Sequence, residues 1–259
     1  MPKAKINGIE LYYEEHGEGP AVVFVHGAGG NHMSWWQQVP VFAPSYRCVT
    51  FDQRGFGASA NTTGDEGTET LHRDLAGLMD HLEIPQAMLV AQSLGGWAVW
   101  GLAERHPERV RAIVMADTPG DIPAPFLVSW ARKGGIRRRE GEDVLDRAFS
   151  PRLHDERPAL AYLYRQIQGL NPPRQPRARV NILKSLADRE PMDLSHVAIP
   201  ALFIVGEEDD LIPPEVIEAA AAAIPGAQFL KVPGAGHSVY FEKAEIFNDA
   251  VLRFFESVE

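Results

Sequence analysis

Three short stretches carry residue types that could act on one another chemically. In Ala87 to Gly96 an apolar run stops at Ser93 and passes directly into two glycines. A serine hydroxyl is a weak nucleophile until a sharp strand-to-helix turn lifts it to where a histidine can take its proton and backbone N–H groups can hold an oxyanion. Ala91 and Gly95, two residues either side of Ser93, are small enough for such a turn, although alanine stands where glycine is usual. A second stretch, Ile204 to Pro213, sets Glu207, Glu208, Asp209 and Asp210 directly after another apolar run. A third, Pro233 to His237, presents a histidine on a glycine-rich loop. The chain order is therefore serine, acid, histidine, which differs from the orders found in serine proteases. Ser93 is assigned as nucleophile, His237 as general base and Asp209 as the acid. Asp210, and Asp117 after an earlier apolar run, are the alternative acids.

Ala21 to Gly30 is an apolar run ending in His26-Gly27-Ala28-Gly29-Gly30, a turn that can free backbone N–H groups to face a developing anion. It lacks the Gly-Lys-Ser/Thr ending of a phosphate-cradling loop and the G-x-G-x-x-G spacing of a dinucleotide site. The N–H groups of Ala28 and Leu94 are the expected oxyanion donors. His72 and His81 fall on a helix and His106 precedes a proline, so these are assigned structural or solvated places, and no metal site is expected. Trp35 is expected in the core and Arg54 as the brace of its own loop. Trp36, Gln92, Trp97 and Trp130 are candidate pocket residues.

The elements that must position these groups follow a strand, turn, helix rhythm. Residues 3 to 15 alternate about Asn7-Gly8, a two-residue hairpin signal. Ala21 to Val25, Cys48 to Phe51, Met88 to Val90, Ala112 to Met115 and Leu202 to Val205 are short apolar runs expected of strands covered on both faces. Helices are expected at about 32 to 42, 68 to 82, 94 to 105, 214 to 224 and 243 to 257, with a last strand near 227 to 232. Such alternation implies a mostly parallel sheet with right-handed crossovers. Residues 119–199 break the rhythm with seven prolines from Pro123 to Pro176 and no convincing strand. They are expected to be a helical insertion laying Phe126, Trp130, Phe149, Tyr162 and Tyr164 over the body. The predicted division is a core of residues 1–118 and 200–259 with a cap at 119–199.

The 259 residues can bury a sizeable core, and 45% hydrophobic with 23% charged content is that of a folded globular chain. The net charge of −10 argues against nucleic-acid binding. Residues 119 to 196 nevertheless hold 14 Lys and Arg against 10 Asp and Glu, an imbalance expected of solvated surface. A single cysteine, Cys48, excludes an intrachain disulfide and fits a reducing cytoplasm. No export signal or membrane span is read, and a monomer or homodimer is expected.

Beyond the serine turn, the chain carries His26-Gly27 with Trp35 downstream, Asp52-Gln53-Arg54-Gly55-Phe56-Gly57-Ala58-Ser59, His106-Pro107-Glu108-Arg109-Val110, the Gly-x-x-Asp-x-x-x-Pro of 206 to 213, and Gly236-His237. On these motifs, along nearly its whole length, it resembles the α/β-hydrolase superfamily, in the branch of lid-bearing esterases, lactonases and carbon-carbon bond hydrolases. The resemblance implies an eight-stranded sheet with a helical lid, a Ser93-Asp209-His237 triad, oxyanion donors at Ala28 and Leu94, and no cofactor. It points to an ester or lactone as the small-molecule substrate, acyl-homoserine lactones among them. Ring-cleavage dienes are the alternative, against which stand Gln92 and the Ser238-Val239-Tyr240-Phe241 sequence. A ligand receptor that keeps the triad but turns over slowly is a further alternative.

Overall fold

The computed structural model describes residues 2–65, 67–136, 147–172 and 182–258. Eight strands form one sheet: β1 (Lys3–Ile6), β2 (Ile9–His16), β3 (Ala21–Val25), β4 (Arg47–Phe51), β5 (Ala87–Gln92), β6 (Val110–Ala116), β7 (Ala201–Gly206) and β8 (Gln228–Val232), in the order β1-β2-β4-β3-β5-β6-β7-β8. The first two pair antiparallel, and β2 also runs antiparallel to β4; every other pairing is parallel. Asn7 (φ 47°) and Gly8 (φ 82°) both take the left-handed region that a two-residue hairpin turn requires, which brings Ile6 opposite Ile9.

The helices are α1 (Val39–Phe42), α2 (Thr68–His81), α3 (Gly95–Arg105), α4 (Pro125–Arg132), α5 (Leu153–Glu156), α6 (Pro158–Gly169), α7 (Ile182–Ala187), α8 (Pro214–Ala223), α9 (Val239–Glu242) and α10 (Ala244–Val258). The helix expected over 32 to 42 is instead two pieces, a 3-10 turn at His32–Trp35 and the short α1. Pro40 is the physical reason: it has no N–H to give and its ring obstructs the carbonyl four residues earlier, so it is accommodated only in a first turn. Among the described residues of the 119–199 segment there are helices and no strand; Pro173 and Pro176 lie outside the described residues.

Alternation along the strands divides the core between the two sheet faces. Val23, Val25, Leu89, Ala91, Ile113, Met115, Phe203 and Val205 point to one face, under α2, α3, α4 and α8. Val22, Phe24, Met88, Val90, Ala112, Val114, Leu202 and Ile204 point to the other, under Trp35, α6 and α10. Parallel strands buried on both sides need this continuous apolar character. The chain passes from β3 to β4 on one side and then returns to place β5 on the other, so the strand order reverses at β3. A crevice opens at the carboxyl ends of strands at such a reversal.

Candidate active site

Ser93 is the first of the two residues between β5 and α3, with φ of 47°. A left-handed conformation is strained for a serine, and strain of this kind persists only where surrounding structure imposes it. Here the imposition is close packing. A Cβ on Gly95 would lie 2.3 Å from the Val25 carbonyl oxygen, so only glycine lets α3 start this near β3. Ala91 is buried within β5, where its methyl is accommodated.

The elbow places Ser93 Oγ 2.8 Å from His237 Nε2, and His237 Nδ1 lies 2.8 Å from Asp209 Oδ2. Asp209 accepts only, so Nδ1 carries the proton and Nε2 is left to accept from the serine hydroxyl. The second oxygen of Asp209 accepts the N–H groups of Leu211 (2.9 Å) and Ile212 (3.0 Å), which fixes the carboxylate plane toward the imidazole. Burial works against a charge on His237, but Asp209, then Asp117 and Glu242, outweigh it and raise its pKa above 6.5.

The acid and histidine loops are packed backbone against backbone. A Cβ on Gly206 would lie 2.1 Å from the Gly236 carbonyl oxygen, and the Glu207 and Glu208 N–H groups donate to Val232 and Ala235. Asp117 reinforces the same junction. From a left-handed position (φ 52°) just past β6 it accepts the Gly206 N–H on one oxygen and the Val239 N–H on the other, both at 3.0 Å. Burial and the neighbouring Asp209 hold its carboxyl well above the usual range, against the opposing pull of His237 and those two N–H groups. Asp117 thus ties the end of β7, which leads to Asp209, to the start of α9, two residues past His237. Asp210 is turned outward, half exposed, and pairs with Arg147. Of the three acids considered, only Asp209 bonds to the imidazole.

The His26 to Gly30 turn runs against the elbow: a Cβ on Gly27 would come within 3.0 Å of Ser93 Cβ. His26 is pinned, its Nδ1–H donating to the Gly27 carbonyl at 2.8 Å while Nε2 accepts the Gln53 N–H at 3.0 Å. Burial pushes its pKa down to about 4, so the ring is neutral and serves the turn. Among the described residues the Ala28 and Leu94 N–H groups meet no acceptor, and Leu94 stands at the start of α3, where helix donors are free by construction.

The candidate pocket residues separate. Gln92 is buried, donating to the His237 carbonyl at 2.7 Å, with its other end against Gly27. It is a brace between elbow, histidine loop and glycine turn, a role beyond the pocket position expected of it. Trp36 is 39% exposed and meets Phe241 edge-on. Trp97 is buried on α3 in the core, while Trp130, on α4, packs near Gly135 at that core's margin. Trp35 is fully buried between Phe24 and Tyr240, and Arg54 holds both oxygens of Asp74 at 2.8 Å, each in its expected place. Sequence reasoning took Asp117 only as a rival acid and missed Ser150, Ser238 and Glu242, which surround the histidine loop. No group of three metal-ligating side chains converges among the described residues, and no helix there is long and apolar enough to cross a membrane.

Comparison with known proteins agrees with this architecture. A malate-bound thermophilic esterase from Thermogutta terrifontis superposes with a TM-score of 0.82 and 27% identity, covering 100% of this chain and 99% of its own. The enol-lactonase from Burkholderia xenovorans LB400 gives a TM-score of 0.76 at 27% identity, covering 98% and 100%. A bromoperoxidase from Bacillus anthracis gives 0.78 at 25% identity, covering 98% and 99%. The profile of the alpha/beta hydrolase fold family matches residues 20–244. The chain belongs to the α/β-hydrolase family.

Proposed function

We propose that this protein is a serine hydrolase that cleaves carboxylic esters or lactones through an acyl-enzyme. The observation that carries the reading is the relay of two 2.8 Å contacts from Ser93 through His237 to Asp209, set beside two backbone donors without acceptors. Ser93 Oγ attacks the acyl carbon as its proton passes to His237 Nε2; the alkoxide then leaves with that proton. In a lactone the alkoxide remains attached to the acyl group as its far end. Water next gives a proton to Nε2 and its oxygen to the acyl carbon, and Ser93 regains its proton as the acid departs. Ala28 and Leu94 N–H groups meet the oxyanion in both halves. Asp209 holds the tautomer and steadies the imidazolium.

No step calls on a metal or cofactor. Similarity to a named esterase and a named enol-lactonase, each at 27% identity over nearly all of the chain, supports this substrate class. We assign residues 119–199 as the cap over the crevice. Asn171, just past α6, donates to the Gly29 carbonyl at 2.7 Å, and Asn31 donates to the Ile167 carbonyl at 2.7 Å, so α6 rests on the oxyanion turn.

The test is steady-state hydrolysis of a p-nitrophenyl ester series, a lactone panel and a ring-cleavage dienoate. An ester or lactone should turn over with a burst of alcohol, and Ser93→Ala should abolish it. Undiminished hydrolysis by Ser93→Ala would remove the nucleophile, and tight binding without turnover throughout would make the protein a receptor.

A further inference from the structure

Glu242 ends α9 five residues after His237 and is buried, although nothing in the hydrolytic scheme uses it. Its two oxygens divide between two regions far apart in sequence. Oε1 accepts the Gly236 N–H at 2.9 Å, and Oε2 accepts the Ser150 N–H at 3.0 Å. The backbones so bridged are in direct contact: a Cβ on Gly236 would lie 2.3 Å from the Ser150 nitrogen. On the other side of His237, Ser238 Oγ donates to the Ala148 carbonyl and accepts from the Tyr164 hydroxyl of α6 at 3.1 Å. Both immediate neighbours of the histidine are therefore tied to residues 148–150 of the inserted segment, in addition to the core contacts that Gly206, Gln92 and Asp117 make with the same loop.

We propose that Glu242 is a positioning residue that fastens the His237 loop to the 148–150 arm of the cap, so that the general base is in place only while that arm is seated. The inference rests on the reading of His237 as the base. A buried N–H left without an acceptor costs more than the bond itself contributes, so the pair holds only while both oxygens accept. Burial raises the Glu242 carboxyl to about 7, against the pull of the Ser150, Gly236 and Ser238 N–H groups and of Lys243. The other groups around it are His237, Asp117, Tyr164 and Tyr240, with Arg157 on its carbonyl and the Glu208–Arg152 pair on the far side of Ser150. The carboxylate form accepts from both sides. In the acid form one oxygen carries a proton and accepts more weakly, so the two-sided bridge is lost and both N–H groups are loosened. Below about pH 7 the latch therefore opens over the range in which His237 also gains its proton.

The experiment compares the pH dependence of ester hydrolysis in wild type, Glu242→Gln and Ser150→Ala, which keeps the bridging N–H. Wild type should lose kcat/KM toward acid with a limb approaching two protons, one for His237 and one for Glu242. Glu242→Gln should show a one-proton limb and a kcat lowered by about tenfold or more at about pH 8.5 with KM little changed, as a misplaced base predicts. Ser150→Ala should keep the two-proton limb. A Glu242→Gln enzyme with wild-type kcat and a two-proton limb overturns the latch. Amide exchange on the wild-type protein gives an independent reading. Corrected for intrinsic rate, the Gly236 and Ser150 N–H groups should lose protection together on passing from about pH 8 to about pH 6, and unchanged protection would also overturn the latch. Activity persisting in Ser93→Ala would defeat the hydrolytic reading instead, leaving the exchange result to judge the latch alone.

Discussion

Two histidine–carboxylate pairs sit at the carboxyl ends of adjacent parallel strands, and only one of them is a candidate for catalysis. His237 and Asp209 follow β8 and β7; His32 and Asp52 follow β3 and β4. Each has its Nδ1 2.8 Å from a carboxylate oxygen. The difference lies at the other nitrogen. His237 Nε2 faces the Ser93 hydroxyl, whereas His32 Nε2 faces a second carboxylate, Glu14, at 3.9 Å, with the Tyr12 ring packed alongside at 4.6 Å. A histidine between a carboxylate and a hydroxyl can pass a proton to and fro. One between two carboxylates has no hydroxyl to exchange a proton with; against the pull of burial, Asp52 and Glu14 raise its pKa, and it serves as a clamp. Asp52 is committed as well, accepting the His32 and Ala58 N–H groups at 2.7 Å each, which ties the chain after β3 to the loop after β4. The elbow that supplies the hydroxyl, and not the histidine–acid pair, makes the site.

Removing the hydroxyl breaks the comparison most severely. Ser93→Ala should lower ester kcat by about a million-fold, since members of such a relay act as a unit. Asp209→Asn should cost about ten-thousand-fold through loss of the correct tautomer, while His32→Asn should leave kcat within about threefold of wild type. Comparable losses in Asp209→Asn and His32→Asn, measured on the same ester, would erase the distinction drawn between the pairs. Asp117→Asn should act on stability more than on turnover. It turns an amide N–H₂ toward one of two buried backbone donors, for a loss of about 1–3 kcal/mol in denaturant unfolding.

The pH profiles should separate the two histidines with smaller effects. Both pKa values are raised above 6.5, His237 and His32 each having burial outweighed by their carboxylates. For His237 the consequence is catalytic: its base form is lost as pH falls through a midpoint above 6.5, so kcat/KM should fall toward acid. For His32 it is one of stability: the folded state binds its proton more tightly than the unfolded chain, so the contribution is full below 6.5 and is lost as pH rises through the folded pKa. Wild-type Tm should therefore drop over that interval relative to His32→Asn, while the variant keeps the acid limb of activity. A variant with an unchanged Tm profile and a displaced acid limb would assign the two roles the other way round.

The sheet was legible because buried parallel strands write themselves as short apolar runs: β3 to β7 fall on those runs, and β8, a partly exposed edge strand, lies where the last strand is expected. Ser93, Asp209 and His237 were legible because each lies in a loop whose small residues serve a turn that few other sequences need. What stayed hidden was set by tertiary contact. Nothing near Glu242 marks it off from an ordinary helix acid, since its partners are Gly236 and an N–H over ninety residues away at Ser150. His32 carried no signal for the same reason: its two carboxylates come from β2 and from the loop after β4. The bracing role of Gln92 is hidden too, because its bond to the His237 carbonyl joins residues 145 apart and is invisible along the chain. The break between the 3-10 turn and α1 is marked in the sequence only by Pro40, against an otherwise helical periodicity.

The most direct test of the central claim is intact-protein and peptide mass spectrometry after reaction with a serine-directed phosphonofluoridate, alongside residual ester hydrolysis. The account predicts one adduct per chain, located on Ser93, with activity lost in proportion to labelling and no adduct in Ser93→Ala. An adduct at another residue, or hydrolysis that survives complete labelling of Ser93, would contradict it.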